Sequence, residues 1–168
     1  MNFKNKATNR YILSAFLLLM LFMAAGCTGT DSSFIKKEVN PQINVLGVQL
    51  FMDESKVHET VGSKGEKAMC VYGYEYNYED QRINIGFNSQ TQQVRRVTTR
   101  NPDTSIYGIK PGAELSKAYD TIASNGYTRE EDSKYRFHKE NIILSITSMK
   151  GTHADGLTIE IDPDQKTE

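Results

Sequence analysis

Apolar side chains alternate with polar ones along six segments of the chain, which is the spacing of strands that bury one face. Three of these predicted strands lie in the first half of the chain and three in the second: Cys70–Glu79, Arg82–Asn88, Gln93–Thr99, Lys134–Lys139, Asn141–Thr147 and Leu157–Ile161. Ahead of each group, apolar residues recur every three or four positions, which predicts a short amphipathic helix. The apolar stripe of the first helix contains Val57 and Val61, and that of the second contains Leu115, Ala118 and Ile122.

The two predicted helices belong to an internal repeat. Residues 47–61 align without a gap on residues 108–122, with an identical glycine, Ser-Lys pair and threonine. Each copy predicts a helix followed by three antiparallel strands, and Gly62 and Gly126 are placed to end the helices. Because each helix and each sheet has one apolar side to bury, the economical fold is α+β. We expect two short helices packed on one face of a joined antiparallel sheet, with the opposite face in water.

The N-terminal segment, residues 1–26, has the pattern of a secretory signal peptide. Lys4, Lys6 and Arg10 precede an uncharged apolar run that is shorter than the roughly 20 residues of a membrane-spanning helix. Small residues follow, and then Cys27. This order resembles the lipobox of bacterial lipoproteins, which implies cleavage before Cys27 and a diacylglyceryl group on its thiol.

Two acyl chains, such as palmitate, anchor a protein stably to a bilayer. We therefore expect the extracytoplasmic face of the cell membrane as the location, with the membrane and an unknown envelope protein as partners. The alternative is an ordinary secreted protein in which Cys27 is free or forms a disulfide. Residues 27–42 are expected to be the acylated cysteine and a flexible tether. Residues 43–162 then form the globular domain, with repeats at about 43–102 and 103–162, and residues 163–168 form a tail.

The net charge of the chain after residue 27 limits the classes of partner. Residues 1–27 contain three of the 20 basic residues and none of the 21 acidic residues, so the rest of the chain has a net charge of −4. This argues against nucleic acid as a partner, since its phosphates are recognised by basic patches. The basic run Arg95, Arg96 and Arg100 is expected at a sheet edge, where charge discourages unwanted strand pairing. If Cys27 is acylated, Cys70 has no disulfide partner.

The segment 70–79 raises a question about one face of its predicted strand. Four tyrosines at alternate positions share that face: Tyr72, Tyr74, Tyr76 and Tyr78. Because Gly73, Glu75 and Asn77 are poor core residues, the tyrosine face is the better candidate for packing against the helices, with the outer tyrosines at the rim. A tyrosine-rich contact surface is the other interpretation. The candidate interaction surface therefore comprises the four tyrosines and the polar residues Glu75, Asn77, Arg82 and Asn84.

The residues favour a noncatalytic protein with no cofactor and no metal. The three histidines, His58, His138 and His153, show no spacing typical of metal ligands. Cys70 could act as a nucleophile only if folding brought a histidine to it. The glycine-containing segment 108–112 predicts a turn, since Pro111 lacks one of the backbone N–H groups that a phosphate cradle would use.

The order of glycine turn, acidic residue, Ser-Lys pair, apolar helix and aromatic strand, given twice, resembles known bacterial domains. One group is the tandem repeats of β-lactamase-inhibitor-like domains and small outer-membrane-assembly lipoproteins. The other is the domain ahead of CAP (cysteine-rich secretory protein) domains in Bacillus-type secreted proteins, which the segments 53–62, 72–74 and 83–97 resemble. The resemblance covers roughly residues 43–162. It implies a noncatalytic module that contacts other proteins or the cell wall. The alternative is an inhibitor or accessory protein of an envelope enzyme.

Overall fold

An eight-stranded antiparallel sheet dominates the computed structural model, which describes residues 32–163. The strands are β1 (Ile43–Asn44), β2 (Glu66–Cys70), β3 (Gly73–Tyr78), β4 (Ile83–Phe87), β5 (Val94–Thr99), β6 (Ser105–Ile106), β7 (Thr128–Arg129), β8 (Arg136–Lys139), β9 (Ile142–Thr147) and β10 (Gly156–Ile161). The helices are α1 (Ser32–Phe34), α2 (Glu54–Val61) and α3 (Leu115–Ser124). A π-helical turn, Ile35–Val39, and a 3₁₀ turn, Asn40–Gln42, continue α1. The predicted α+β class is confirmed.

The sheet joins the two repeats edge to edge. Its strand order is β2-β3-β4-β5-β10-β9-β8-β7, and β5 pairs with β10 at the centre, where Val97 lies opposite Ile159. Each repeat contributes a helix and four strands, so the prediction of three strands per repeat missed the edge strands β2 and β7. Most side chains of β2 are exposed, and β7 has two residues, so neither shows apolar alternation. The predicted strand from Cys70 is in fact the end of β2, a turn and β3.

The backbone repeats more closely than the sequence does. Gly47 and Gly108, at equivalent positions, have φ angles of 77° and 74°. Phe51 replaces the glycine that the second repeat has at Gly112, and it still adopts a φ of 65°, against 98° for Gly112. A non-glycine residue rarely occupies this left-handed region. The turn before the helix therefore has the same shape in both repeats.

Both long helices cover the same face of the sheet, as predicted. Val57 of α2 and Ile122 of α3 have no exposed surface. One row of paired residues beneath them crosses the sheet and is buried throughout: Tyr76, Ile85, Val97, Ile159, Leu144 and Phe137. The next row points to the opposite face and is polar: Asn77, Asn84, Thr98, Thr158, Ser145 and Arg136. That opposite face carries no helix within the described part of the chain.

The domain begins earlier than predicted. Residues 27–42 were expected to form a flexible tether, but Ile35 and Val39 are fully buried. Asn40 lies in the core as well, where its side chain accepts a hydrogen bond from the Leu50 amide and donates one to the Leu50 carbonyl, both at 3.0 Å. The tether prediction is therefore wrong for residues 34–42. Cys27, the signal segment 1–26 and most of the predicted tail 163–168 lie outside the described residues. Among residues 32–163, no helix is both long and apolar enough to cross a membrane.

Candidate functional site

The polar face of the sheet holds an open groove with a volume of about 860 Å³. Strands β2 to β5 and β10 provide its floor and walls. All four polar residues of the predicted interaction surface line this groove: Glu75, Asn77, Arg82 and Asn84. Alternation places Glu75, Asn77 and Asn84 there, since β3 and β4 turn every second side chain away from the helices. Arg82 lies in the turn just before β4. The structure thus brings together the polar half of the predicted site, whose binding role stays a prediction.

Two of the charged side chains in the groove form an ion pair with each other. Nη2 of Arg96 on β5 donates to Oε2 of Glu75 on β3, across the intervening strand β4. The two side chains are 24% and 25% exposed. Gly86 of β4 lies beneath the guanidinium, because a Cβ atom there would stand only 3.2 Å from Nε of Arg96. This glycine therefore allows the ion pair to lie flat on the sheet.

Unpaired charges of both signs surround that ion pair. Arg82 and Arg100 are neighbours at one end of the groove, where the Arg100 amide donates to the Arg82 carbonyl at 2.9 Å. Glu66 and Glu79 line the wall formed by β2 and β3. None of these four side chains forms an ion pair with another residue in the range 32–163. The groove can therefore offer separate positive and negative contacts to a ligand.

Sequence reasoning missed several residues of this surface. Arg95, Arg96 and Arg100 were expected at a sheet edge, but β5 is a central strand, so that prediction is wrong. The prediction failed because strand order depends on how the two repeats pair, which alternation does not reveal. Glu66 was missed with the rest of β2. Two adjacent charged residues on a strand of Val and Thr were the available signal for Arg95 and Arg96.

The tyrosine face belongs to the core. Tyr74, Tyr76 and Tyr78 are 6%, 9% and 2% exposed beneath α2, so they form no contact surface in this fold. The interpretation of these three residues as part of an interaction surface is wrong, because α2 covers them. Tyr78 was expected at the rim and is buried instead. Tyr72 lies in the turn before β3 and is 47% exposed, as expected of a rim residue.

Polar groups on α2 satisfy the buried phenols. Glu54 accepts hydrogen bonds from the hydroxyls of Tyr74 at 2.5 Å and Tyr76 at 2.6 Å. The Tyr78 hydroxyl is hydrogen-bonded to Nδ1 of His58 at 2.9 Å, and Nε2 of His58 lies 3.6 Å from Oε1 of Glu54. Burial raises the pKa of Tyr78 to about 12. Burial also raises the pKa of Glu54, but the hydrogen bonds from Tyr74 and Tyr76 outweigh it, so that this pKa lies below its ordinary value.

This cluster borders an open cavity of about 590 Å³ that His58, Glu54 and Lys67 help to line. A catalytic histidine needs a ring nitrogen that can exchange a proton with a nucleophile or substrate. Here Nδ1 of His58 is hydrogen-bonded to the Tyr78 hydroxyl, and Nε2 of His58 lies close to the Glu54 carboxylate. Lys67 places its ammonium 3.9 Å from the centre of the Tyr74 ring. The arrangement stabilises α2 on the sheet.

The other chemically reactive residues lie apart. His138 is exposed on β8, and His153 is exposed in the loop between β9 and β10, where its Nδ1 contacts the Thr152 hydroxyl at 3.0 Å. Cys70 is a free, half-buried thiol at the end of β2. No hydrogen bond joins it to a histidine of the described segment. Nor do residues 32–163 contain a group of three or more His, Cys, Asp or Glu side chains that could hold a metal ion.

Comparison with known proteins identifies a shared fold. No protein-family profile and no curated protein matches this chain in sequence. An extracellular protein containing an SCP domain, the CAP-type domain, from Bacillus anthracis strain Ames has a similar solved structure, with a TM-score of 0.55 and 12% identity. The match covers 76% of this chain and 49% of that protein, so this chain spans about half its length. The predicted relation to CAP-containing Bacillus proteins is thereby supported at the level of the fold.

Proposed function

We propose that this chain is a noncatalytic binding module of the bacterial envelope that recognises another protein through the polar groove. The observation that carries the proposal is the set of unpaired charges, Arg82, Arg100, Glu66 and Glu79, on a face that no described helix covers. Complementary charges across an interface set the specificity and the rate of association. Sites for small ligands are mostly apolar and enclosed, whereas this groove is open and lined largely by polar residues. Contact with a protein surface suits it better.

A binding measurement with charge-reversal variants tests this proposal. Membranes are solubilised, partners that copurify with the chain are identified by mass spectrometry, and the capture is repeated with Arg82→Glu and Arg100→Glu. We expect each variant to lose the partner while its melting temperature stays unchanged, because both side chains are exposed. Lys110→Glu is the matched control, since Lys110 is an exposed cation in the turn before α3. Capture that survives both groove variants would contradict the proposal.

The proposed location rests on Cys27. A lipid anchor would hold the domain outside the cytoplasmic membrane, and the structural neighbour described above is itself an extracellular protein. Cells grown with labelled palmitate should incorporate the label into the chain, and Cys27→Ser should abolish the incorporation and release the protein from membranes. Cys70→Ser is the control for a thiol elsewhere in the chain. Equal labelling of the Cys27→Ser variant would refute the anchor.

An inhibitor or accessory protein of an envelope enzyme is the second candidate. The observation that favours it is the end of the β2–β3 hairpin, where the apolar side chains of Met69, Val71 and Tyr72 are exposed. The resemblance to β-lactamase-inhibitor-like repeats points the same way. Purified chain would then change the rate of a cell-wall hydrolase or β-lactamase at equimolar concentration. A partner whose catalytic rate is unaffected would leave the binding module as the better description.

A further inference from the structure

A second candidate contact surface lies where β2 turns into β3. Met69, Val71 and Tyr72 are 79%, 91% and 47% exposed. We call these three residues the hairpin tip. Large apolar side chains rarely stay in water as a contiguous group unless they meet a partner. The hairpin tip is therefore a candidate for a protein contact.

Arg95 lies directly behind the hairpin tip. Its guanidinium carbon is 5.2 Å from the centre of the Tyr72 ring, which is a cation–π contact. A β-bulge places it there: Phe87 lies opposite Val94, whereas Gly86 lies opposite Arg96, so Arg95 is the extra residue of β5. Bulges redirect side chains. Arg95 consequently reaches the polar face, where Glu160 lies on the neighbouring strand β10.

The Arg95 side chain is 9% exposed, and its hydrogen bonds are incomplete. Neither Nε nor Nη1 donates to any residue of the described domain. Oε2 of Glu160 is 3.9 Å from Nη1, which is too long for a hydrogen bond. A buried donor without an acceptor is unfavourable, and a guanidinium is shaped to bind a carboxylate through two parallel hydrogen bonds. Arg95 can therefore donate further hydrogen bonds to a carboxylate.

We infer that the hairpin tip and Arg95 form a docking element for a protein segment that carries an Asp or Glu carboxylate beside an apolar residue. The carboxylate accepts hydrogen bonds from Arg95, and the apolar neighbour packs on Val71. Met69, opposite Tyr74 in the β2–β3 register, lies on the other face of the hairpin. Tyr72 covers Arg95 from the turn, outside the sheet ladder, so binding of the carboxylate requires its ring to move aside. Tyrosine and arginine are enriched among the residues that dominate binding energy at interfaces. The inference rests on the proposed function, since it assumes that the chain binds a protein.

A peptide selection supplies the probe. The full chain, solubilised in detergent, is used to select binders from a displayed library of short random peptides. The enriched peptides should contain Asp or Glu beside an apolar residue. Replacing that acid by its amide in one enriched peptide should weaken binding about tenfold or more, because a charge-assisted bidentate contact becomes neutral.

A variant of the exposed tip and a conservative change of the buried Arg95 locate the contact. Val71→Ser should weaken binding of the acidic peptide several-fold, since apolar area at the contact is lost. Met149→Ser is the matched control: Met149 is 82% exposed but lies between β9 and β10, at the other end of the sheet. Arg95→Lys keeps the charge but cannot donate two parallel hydrogen bonds, so the preference for the acidic peptide over its amide counterpart should become smaller.

Five outcomes would overturn the inference. The selection yields no binder, the enriched peptides lack an acid, or the acid-to-amide change leaves affinity unaltered. In the fourth, peptide binding survives Val71→Ser and Arg95→Lys but is lost in Arg82→Glu, which would assign recognition to the groove and support the proposed function alone. Self-association that Val71→Ser abolishes would assign the tip to a second copy and also refute the inference. Peptide binding at the tip together with partner capture insensitive to Arg82→Glu would instead refute the proposed groove.

Discussion

Replacing Glu54 tests whether the buried tyrosine network holds α2 on the sheet. The Glu54 carboxylate accepts hydrogen bonds from two phenols, and the Tyr74 and Tyr76 side chains that donate them are almost fully buried. Hydrogen bonds to charged groups contribute about 1.5–3 kcal/mol each, against about 0.5–1.5 kcal/mol for neutral ones. Glu54→Gln keeps the shape and loses the charge. Because Glu54 is 23% exposed, we take the lower part of that difference and expect a loss of about 1–2 kcal/mol.

The pH dependence of this loss follows from the direction of the Glu54 pKa. Burial raises that pKa, but the two phenol hydrogen bonds and the Lys67 charge lower it further, so the folded-state pKa lies below the ordinary value of 4.5. A depressed carboxylate pKa contributes stability above the unfolded-state pKa, and this contribution is lost as the pH falls through the folded-state pKa. The difference in the free energy of unfolding between wild type and Glu54→Gln should therefore be largest at neutral pH and decrease below pH 4.5.

Urea unfolding followed by tyrosine fluorescence and far-ultraviolet circular dichroism measures the effect. Glu59→Gln is the control on the same helix, since within residues 32–163 the ion pair of Glu59 is with the exposed Lys56. An exposed pair of this kind contributes at most a few tenths of a kcal/mol. A Glu54→Gln variant no less stable than Glu59→Gln would refute the network as the element that holds α2. So would a difference that stays constant from neutral to acid pH.

Three further predictions concern single residues. Gly73→Ala should destabilise the domain by about 3 kcal/mol or more in urea unfolding, because the added Cβ would stand 2.1 Å from the Phe87 carbonyl oxygen at a φ of 140°. Gly62→Ala, whose Cβ would meet nothing within 4 Å, should cost only about 1 kcal/mol. Asn40→Ala should lower the free energy of unfolding by about 1–3 kcal/mol, since it removes both partners of the buried Leu50 backbone; an unchanged stability would restore the tether interpretation of residues 34–42. Ultraviolet titration should show a phenol that ionises near pH 12, and Tyr78→Phe should remove it; a spectrum without that late step would contradict the burial of Tyr78.

The repeat was readable because both copies keep the residues that shape a turn and begin a helix. Gly47 and Gly108 mark the same left-handed turn, and the Ser-Lys pair lies early in each helix. Alternation then predicted six of the strands in the large sheet and the side that each presents to the helices. The strands it missed have no apolar alternation to detect. The early residues Ile35 and Val39 were missed because one π-helical turn is too short to show a helical period.

The candidate site was predictable only in its polar half. Glu75, Asn77 and Asn84 follow from which side of a strand faces away from the helices, whereas Arg82 lies in the turn before β4. Arg95 does not, because its orientation depends on a bulge that shifts the pairing of β4 and β5 by one residue. The tyrosines were ambiguous for a related reason. A phenol suits either a core or a contact surface until it is known whether an acceptor such as Glu54 lies above it.

The amino-acid sequence by itself determined the α+β class, the duplicated unit and the polarity of the two sheet faces, because these depend on local periodicity and on residues a few positions apart. Only the tertiary structure decided how the repeats join, through the pairing of β5 with β10. That pairing places the basic strand at the centre, unites residues 43–44 with 105–106 and brings Tyr72 over Arg95. These contacts join segments distant in sequence, and long-range pairing has no local signature. The groove and the hairpin tip are products of that association.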